Sequence, residues 1–262
     1  MKVRLDRLLV ERGLASSRER AQALILAGRV LVDQQKVEKA GAAIPSDAVI
    51  RVLGNDLPYV SRGGLKLAAA LAHWQIDVHE RICMDVGAST GGFTDCLLQN
   101  GALQVIAIDT GYGQLDLKLR SDPRVRLLEK TNARYLTPAQ LSPGDMPREP
   151  IELVAMDVSF ISATLVLPAV IECVKASGPT QFDLIVLVKP QFEVGRERVG
   201  KGGIVRDPEV QQSAVRKLYY AVQQLGGTQI ESIESPILGG EGNREFLLHA
   251  LFTSAPKTPA VH

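Results

Sequence analysis

Asp85-Val86-Gly87-Ala88-Ser89-Thr90-Gly91-Gly92-Phe93 stands between a β-type run over residues 82–86 and a helical pattern over 92–100. Glycines at such a junction let the backbone turn sharply and approach a ligand where no side chain fits. Outward from it, further β-type runs at 104–109, 125–129, 151–157 and 182–189 alternate with helical segments, notably 162–175. Leu184-Ile185-Val186-Leu187-Val188 is apolar on both faces, as a central parallel strand requires. The alternation predicts an α/β fold with a doubly wound, Rossmann-like sheet. A helical pattern over 208–224 leads to runs at 229–234 and 245–252, read as edge strands.

Upstream the pattern is of another kind. Leu5, Leu8 and Leu9 fall at i, i+3, i+4, and Gly13 closes that helix. Ser16 and Glu19 have capping-box spacing and open a second helix carrying Ala21, Leu24 and Ile25, which Gly28 ends. Val30 and Val32, then residues 49–53, read as short strands. The expected organisation is a small α+β module over 1–57 and a linker over 58–61. A larger domain follows over 62–254, opening on a helix at 64–73, and then a Pro-rich disordered tail over 255–262.

The chain has 262 residues, with 45% hydrophobic and 23% charged, ordinary values for a globular protein. That is enough apolar material for a sizeable core, so disorder is excluded as the main state. Cys83, Cys96 and Cys173 form no CxxC pair, and the histidines at 73, 79, 249 and 262 show no ligand spacing, so neither a disulfide framework nor a metal site is expected. The charged start has no signal-peptide core, and no apolar run approaches the ~20 residues that span a bilayer. A cytoplasmic protein without a membrane role is expected. Net charge is +1, which at face value speaks against nucleic acid. Residues 1–60, however, hold ten Lys+Arg and seven Asp+Glu, leaving the rest of the chain acidic.

The glycine loop points to a nucleoside-containing ligand, since Asp109 ends the next strand 22 residues after Gly87, where an acid accepts hydrogen bonds from a ribose diol. The spacing Gly87-x-x-x-Gly91-Gly92 is not the G-x-G-x-x-G that seats a dinucleotide pyrophosphate. S-adenosylmethionine has no phosphate but carries an ammonium that wants a carboxylate, and Asp85 fits that need. A tight turn without ligand is the plainer alternative.

Lys66, Asp157, Lys189 and Glu245 sit at strand ends or helix starts on the same side. Singly, Lys66 reads as a solvated helix lysine, Asp157 as an N-cap for the following helix and Glu245 as a rim charge. Lys189 is harder to dismiss, because it emerges from a buried strand just before a proline. Together they make chemical sense. Methylating a ribose 2′-hydroxyl requires removing its proton, which a lysine does if burial and a second cation lower its pKa. Lys189 is then the base, Lys66 the second cation, and Asp157 and Glu245 orient the two ammonium groups.

This Lys66–Asp157–Lys189–Glu245 order around DVGASTGGF resembles the K-D-K-E tetrad of FtsJ-type ribose 2′-O-methyltransferases. Residues 4–37 resemble an S4 RNA-binding domain, and the joint layout, with SRGGLKL between, resembles the TlyA family over residues 3–253. The resemblance implies cytidine 2′-O-methylation in ribosomal RNA of one or both subunits, with S-adenosylmethionine as donor. It implies that Gly87, Ser89, Gly91 and Phe93 line the donor, that Asp109 takes its ribose and that Asn132 reads its adenine, with Asp85 and Asp157 close by. The family also carries the label haemolysin, but no spanning segment or long cationic amphipathic helix supports a pore.

Arg4, Arg7, Arg18, Arg20, Arg29 and Arg62 are the candidate RNA contacts; a solvated helix face is the bland alternative. The glycine-rich basic stretch 195–206 reads as a loop that orders on RNA or is simply flexible. Ribosomal RNA or ribosomal subunits are the expected partners, and no obligatory protein partner is evident. Two rival functions remain at this point: a non-catalytic RNA-binding ribosome-assembly factor, and a nicotinamide oxidoreductase, which the glycine spacing disfavours.

Overall fold

The computed structural model describes residues 2–15, 17–53, 58–141, 149–239 and 242–253. The chain divides after Leu57 into two compact units. In the first, β1 (Lys2–Arg4) pairs antiparallel with β4 (Ala43–Pro45), and β2 (Val30–Val32) lies between β3 (Gln35–Lys36) and β5 (Ile50–Val52). Helices α1 (Leu5–Glu11) and α2 (Arg18–Leu26) bury Leu5, Leu8, Leu9, Ala21, Leu24 and Ile25 in one core with Val30, Val32 and Ile44. The predicted capping residue Ser16 lies outside the described residues. The observed N-cap of α2 is Ser17, whose Oγ accepts the Arg20 N–H at 3.2 Å.

The second unit runs through α3 (Gly63–His73), β6 (Ile82–Val86), α4 (Gly92–Gln99), β7 (Gln104–Ile108), α5 (Leu117–Arg120), β8 (Val125–Leu128), α6 (Pro138–Leu141), β9 (Leu153–Met156), α7 (Leu167–Ser177), β10 (Gln181–Val188), α8 (Pro190–Glu193), α9 (Pro208–Gln224), β11 (Thr228–Glu234) and β12 (Phe246–Thr253). Its seven strands are ordered β11-β12-β10-β9-β6-β7-β8. The pairs within β10-β9-β6-β7-β8 are parallel, while β12 is antiparallel to both its neighbours. Period-2 alternation sorts the side chains between two helical layers. Met84, Val86, Leu184, Val186 and Val188 face α7 and α9, whereas Cys83, Ile185 and Leu187 face α3 and α4. The sheet is therefore covered on both sides, as a doubly wound fold requires.

Three expectations need correction. The run at 245–252 is not an edge strand: β12 inserts between β10 and β11, and its apolar residues on both faces suit that interior place. The helix expected over 162–175 is broken, with a 3₁₀ turn at Ala163–Leu165 preceding α7, where Pro168 is tolerated in the first turn. The stretch read as a linker at 58–61 is bonded to α4 within the second unit: the Val60 N–H donates to Asp95 Oδ2 at 2.8 Å and Gln99 Nε2 to the Pro58 carbonyl at 2.9 Å. The tail over 255–262 lies outside the described residues.

Candidate active site

Strand order reverses at β6, which has β7 on one side and β9 on the other, and ligands of such sheets bind at the carboxyl ends of the strands there. Register brings the predicted residues together. Val86 pairs with Met156, so Gly87 and Asp157 emerge side by side, and the Asp157 N–H donates to the Val86 carbonyl at 2.8 Å. Val188 pairs with Phe246, so Lys189 and Glu245 emerge from adjacent strands.

Gly87 has φ +88°, and a Cβ placed there would lie 2.4 Å from the Asp157 carbonyl oxygen. Gly91, the N-cap of α4, has φ +96°, and a Cβ there would meet the Leu119 side chain at 2.3 Å. The two glycines thus let the loop pass between β9 and α5 with open space above it. That space is two cavities. One, of about 240 Å³, is lined by Ser61, Arg62, Lys66, Gly87, Ser89 and Phe93 among others. The other, of about 290 Å³, is lined by Gly87, Ser89, Asp109, Asn132, Ser159 and Phe160 among others. Gly87, Ser89 and Asp157 border both.

The four tetrad residues form two ion pairs. Lys66, on α3, is buried rather than solvated and donates to Glu245 Oε2, itself buried. Lys189 Nζ lies 2.6 Å from Asp157 Oδ1 and donates to Ser159 Oγ at 2.6 Å. Asp157 is thus engaged across the strand ends and does not cap a helix. Lys189 reaches the cavities through Asp157 and Ser159 and is not itself part of either wall.

Asp109 accepts the Ser89 N–H at 2.8 Å and the Gly111 N–H at 2.6 Å, one on each carboxylate oxygen. Each oxygen keeps a lone pair for a further donor, so the carboxylate both shapes the loop and remains able to accept from a diol. Asn132 Oδ1 accepts the Arg134 N–H at 3.1 Å, starting a 3₁₀ turn, and Asn132 lines the second cavity.

Asp85 departs from expectation. It is fully buried, lines neither cavity, and accepts the Thr94 hydroxyl at 2.6 Å while its Oδ1 has no hydrogen-bond partner. Strand alternation explains this: Asp85 shares the Cys83 face and points under α4, away from the loop. Burial pushes its carboxyl up to about 7, against the Thr94 hydrogen bond. The carboxylate that borders both cavities is Asp157.

Residues not foreseen include Ser159, Phe160 and Glu193. Phe160 is 92% exposed at φ +64°, strained backbone of order 1–3 kcal/mol for a non-glycine, and packs on Phe192 with ring centroids 5.3 Å apart. Exposed strain of this kind beside a cavity has no periodicity for a sequence pattern to reveal.

In the first unit, Arg4 and Arg18 converge on buried Asp6, with Gln22 as a further donor. The Arg4 hydrogen bond is the largest influence, and together these donors hold the Asp6 carboxyl well below the usual carboxylate range, against its burial. Arg7 pairs with Glu11 at 2.8 Å, and Arg29 donates to the Leu53 carbonyl at 2.8 Å. Arg20 is half-buried at the start of α2. Arg62 precedes α3 at the wall of the first cavity. The basic stretch 195–206 holds two 3₁₀ turns, and buried Asn243 bonds the Val205 N–H and the Gly203 carbonyl at 2.9 Å each. Among the described residues no His/Cys/Asp/Glu cluster suits a metal ion, and no helix is long and apolar enough to cross a membrane.

Residues 59–252 match the FtsJ-like methyltransferase family and residues 3–50 the S4 domain. YqxC of Bacillus subtilis is 50% identical over 248 residues, covering 95% of this chain and 85% of that protein. The 16S/23S rRNA (cytidine-2'-O)-methyltransferase TlyA of Mycobacterium tuberculosis is 44% identical, covering 94% and 89%. The chain belongs to the TlyA family of FtsJ-like methyltransferases. A solved structure from Streptococcus thermophilus, assigned as a hemolysin, is 40% identical and superposes with a TM-score of 0.72, covering 99% of this chain and 91% of that one. The TlyA family layout, an S4 domain followed by a methyltransferase sheet, thus extends over nearly the whole chain.

Proposed function

We propose that this chain methylates the ribose 2′-hydroxyl of cytidine in ribosomal RNA of one or both subunits, in the cytoplasm, with S-adenosylmethionine as donor. The observation that carries the reading is the Lys189–Asp157 pair at the junction of two cavities that the Gly87 turn leaves open. The residues fit an adenosyl amino acid. Gly87 and Ser89 give backbone approach, Asp109 suits the ribose diol, Asn132 the adenine and Asp157 the ammonium. When bound, S-adenosylmethionine supplies an electrophilic methyl group on a sulfonium sulfur.

The chain's own part is to hold the hydroxyl and move its proton. With its amine in the neutral form, Lys189 Nζ takes the hydroxyl proton on its lone pair as the oxygen attacks, and Asp157 and Ser159 fix the direction of that amine and hold the ammonium that results. Lys66, anchored by Glu245, adds positive charge at the wall of the first cavity and compensates charge that develops on the oxygen. Much of the rate comes from alignment of the groups. The S4 domain supplies RNA affinity through Arg4, Arg7, Arg18, Arg20 and Arg29, with Arg62 beside the site, and the target nucleotide is splayed out of its helix to reach the amine.

The test is transfer of labelled methyl from S-adenosylmethionine to unmodified ribosomal subunits, with mapping of 2′-O-methyl positions. Transfer to a cytidine ribose is expected. No transfer by the wild-type chain, alongside intact RNA binding, would favour the assembly-factor alternative.

A further inference from the structure

Glu193 closes α8, four residues after Lys189, and its side chain is only 3% exposed. Its Oε2 accepts the Ser162 hydroxyl at 2.5 Å and lies 3.2 Å from Lys217 Nζ of α9, while its Oε1 accepts the Ala163 N–H at 2.7 Å. Lys217 also donates to the Glu193 carbonyl at 2.8 Å. Ser162 lies five residues after Asp157, and between them stand Ser159, which accepts from Lys189, and the strained Phe160. The segment 157–162 is therefore pinned at one end by the Asp157 N–H on β6 and at the other by Glu193.

The two strand-end segments that carry the reacting groups thus meet twice, at Lys189 with Asp157 and Ser159, and at Glu193 with Ser162 and Ala163. A simple turn start would not need a buried carboxylate, since Ser162 is itself a residue type that caps, yet its side chain makes no cap bond and is given to Glu193. We propose that Glu193 is a positioning residue for the transfer, clamping the 157–162 segment so that Asp157 and Ser159 stay aligned on Lys189. The inference rests on the reading of Lys189 as the base.

The experiment compares wild type with Glu193→Gln, Glu193→Asp and Lys217→Met, using labelled S-adenosylmethionine and unmodified ribosomal subunits, with donor Kd by calorimetry. Glu193→Gln is expected to lower kcat by about ten- to hundredfold, the scale of a small misalignment, at unchanged donor Kd and unchanged KM for RNA. Glu193→Asp is expected to recover part of the loss. Should Glu193→Gln not fold, Lys217→Met, at a half-exposed position, is expected to show a smaller fall in kcat at the same Kd. A wild-type kcat in the variants, or a kcat loss matched by an equal loss of donor affinity, overturns the clamp while leaving the functional reading in place. Absence of transfer by the wild type overturns both.

Discussion

Lys189 Nζ stands 2.6 Å from Asp157 Oδ1 across the gap between β10 and β9. Neither residue owes that meeting to local sequence, because 32 positions separate them and only the parallel register of β9 and β10 joins their ends. Lys189→Ala is expected to lower methyl transfer by about 10²–10⁴-fold, the contribution of a positioned base, while donor binding persists. Lys189→Arg should not restore it, since a guanidinium does not give up its proton. Single-turnover rates with labelled donor decide this, and full activity in either variant would remove Lys189 from its role.

The Lys66–Glu245 pair is buried, so removing one partner strands the other. Glu245→Ala is expected to destabilise the second unit by about 3–5 kcal/mol. The double replacement Lys66→Met with Glu245→Leu should cost far less, because it leaves no unpaired charge, yet it should be inactive. Urea denaturation alongside the transfer assay separates the two effects. A double variant that keeps activity would show the pair to be purely structural.

Gly87→Ala addresses the donor cradle. The new Cβ would lie 2.4 Å from the Asp157 carbonyl, at a backbone φ of +88° that L side chains rarely adopt. Relief requires moving the β9 end, which displaces Asp157 as well. Calorimetry should therefore show donor affinity lost, and circular dichroism should show the sheet retained. Wild-type affinity would place the donor elsewhere.

In the first unit, Asp6 holds Arg4 and Arg18 in fixed directions. Arg18→Ala is expected to weaken binding to ribosomal RNA across sequences and to reduce the slope of log K against log salt by about one, as loss of one phosphate contact does. Titration at several salt concentrations measures it, and an unchanged slope would mean that Arg18 serves Asp6 alone.

The strand over 82–86 and the helix over 208–224 are legible because periodicity and glycine position speak locally, and the structure bounds them at Ile82–Val86 and Pro208–Gln224. The tetrad was legible only as an order of residues. Its division into Lys66–Glu245 and Lys189–Asp157 depends on which strands are neighbours, and the insertion of β12 beside β10 is a tertiary fact that no window contains. Asp85 departs from what its sequence position suggests for a related reason. Its position before the glycine loop suggests a ligand, but strand alternation turns it beneath α4. Glu193 gave no signal, since its partners Ser162 and Lys217 lie 31 and 24 residues away.

Asp85 carries the last prediction, one of pH. Burial raises its carboxyl from the ordinary value near 4 to about 7, so between those values the folded chain holds a proton that the unfolded chain has released. Stability contributed through this group is therefore greatest below about pH 4, falls as pH rises, and is fully lost above about pH 7. Three pKa units at about 1.36 kcal/mol each set a scale of about 4 kcal/mol. Asp85→Asn keeps an acceptor for the Thr94 hydroxyl and cannot ionise. Its thermal midpoint should vary less than that of the wild type between pH 5 and 8, whatever its absolute value. Parallel pH profiles for the two proteins would mean that Asp85 is ionised throughout, with its unpartnered Oδ1 reached by solvent.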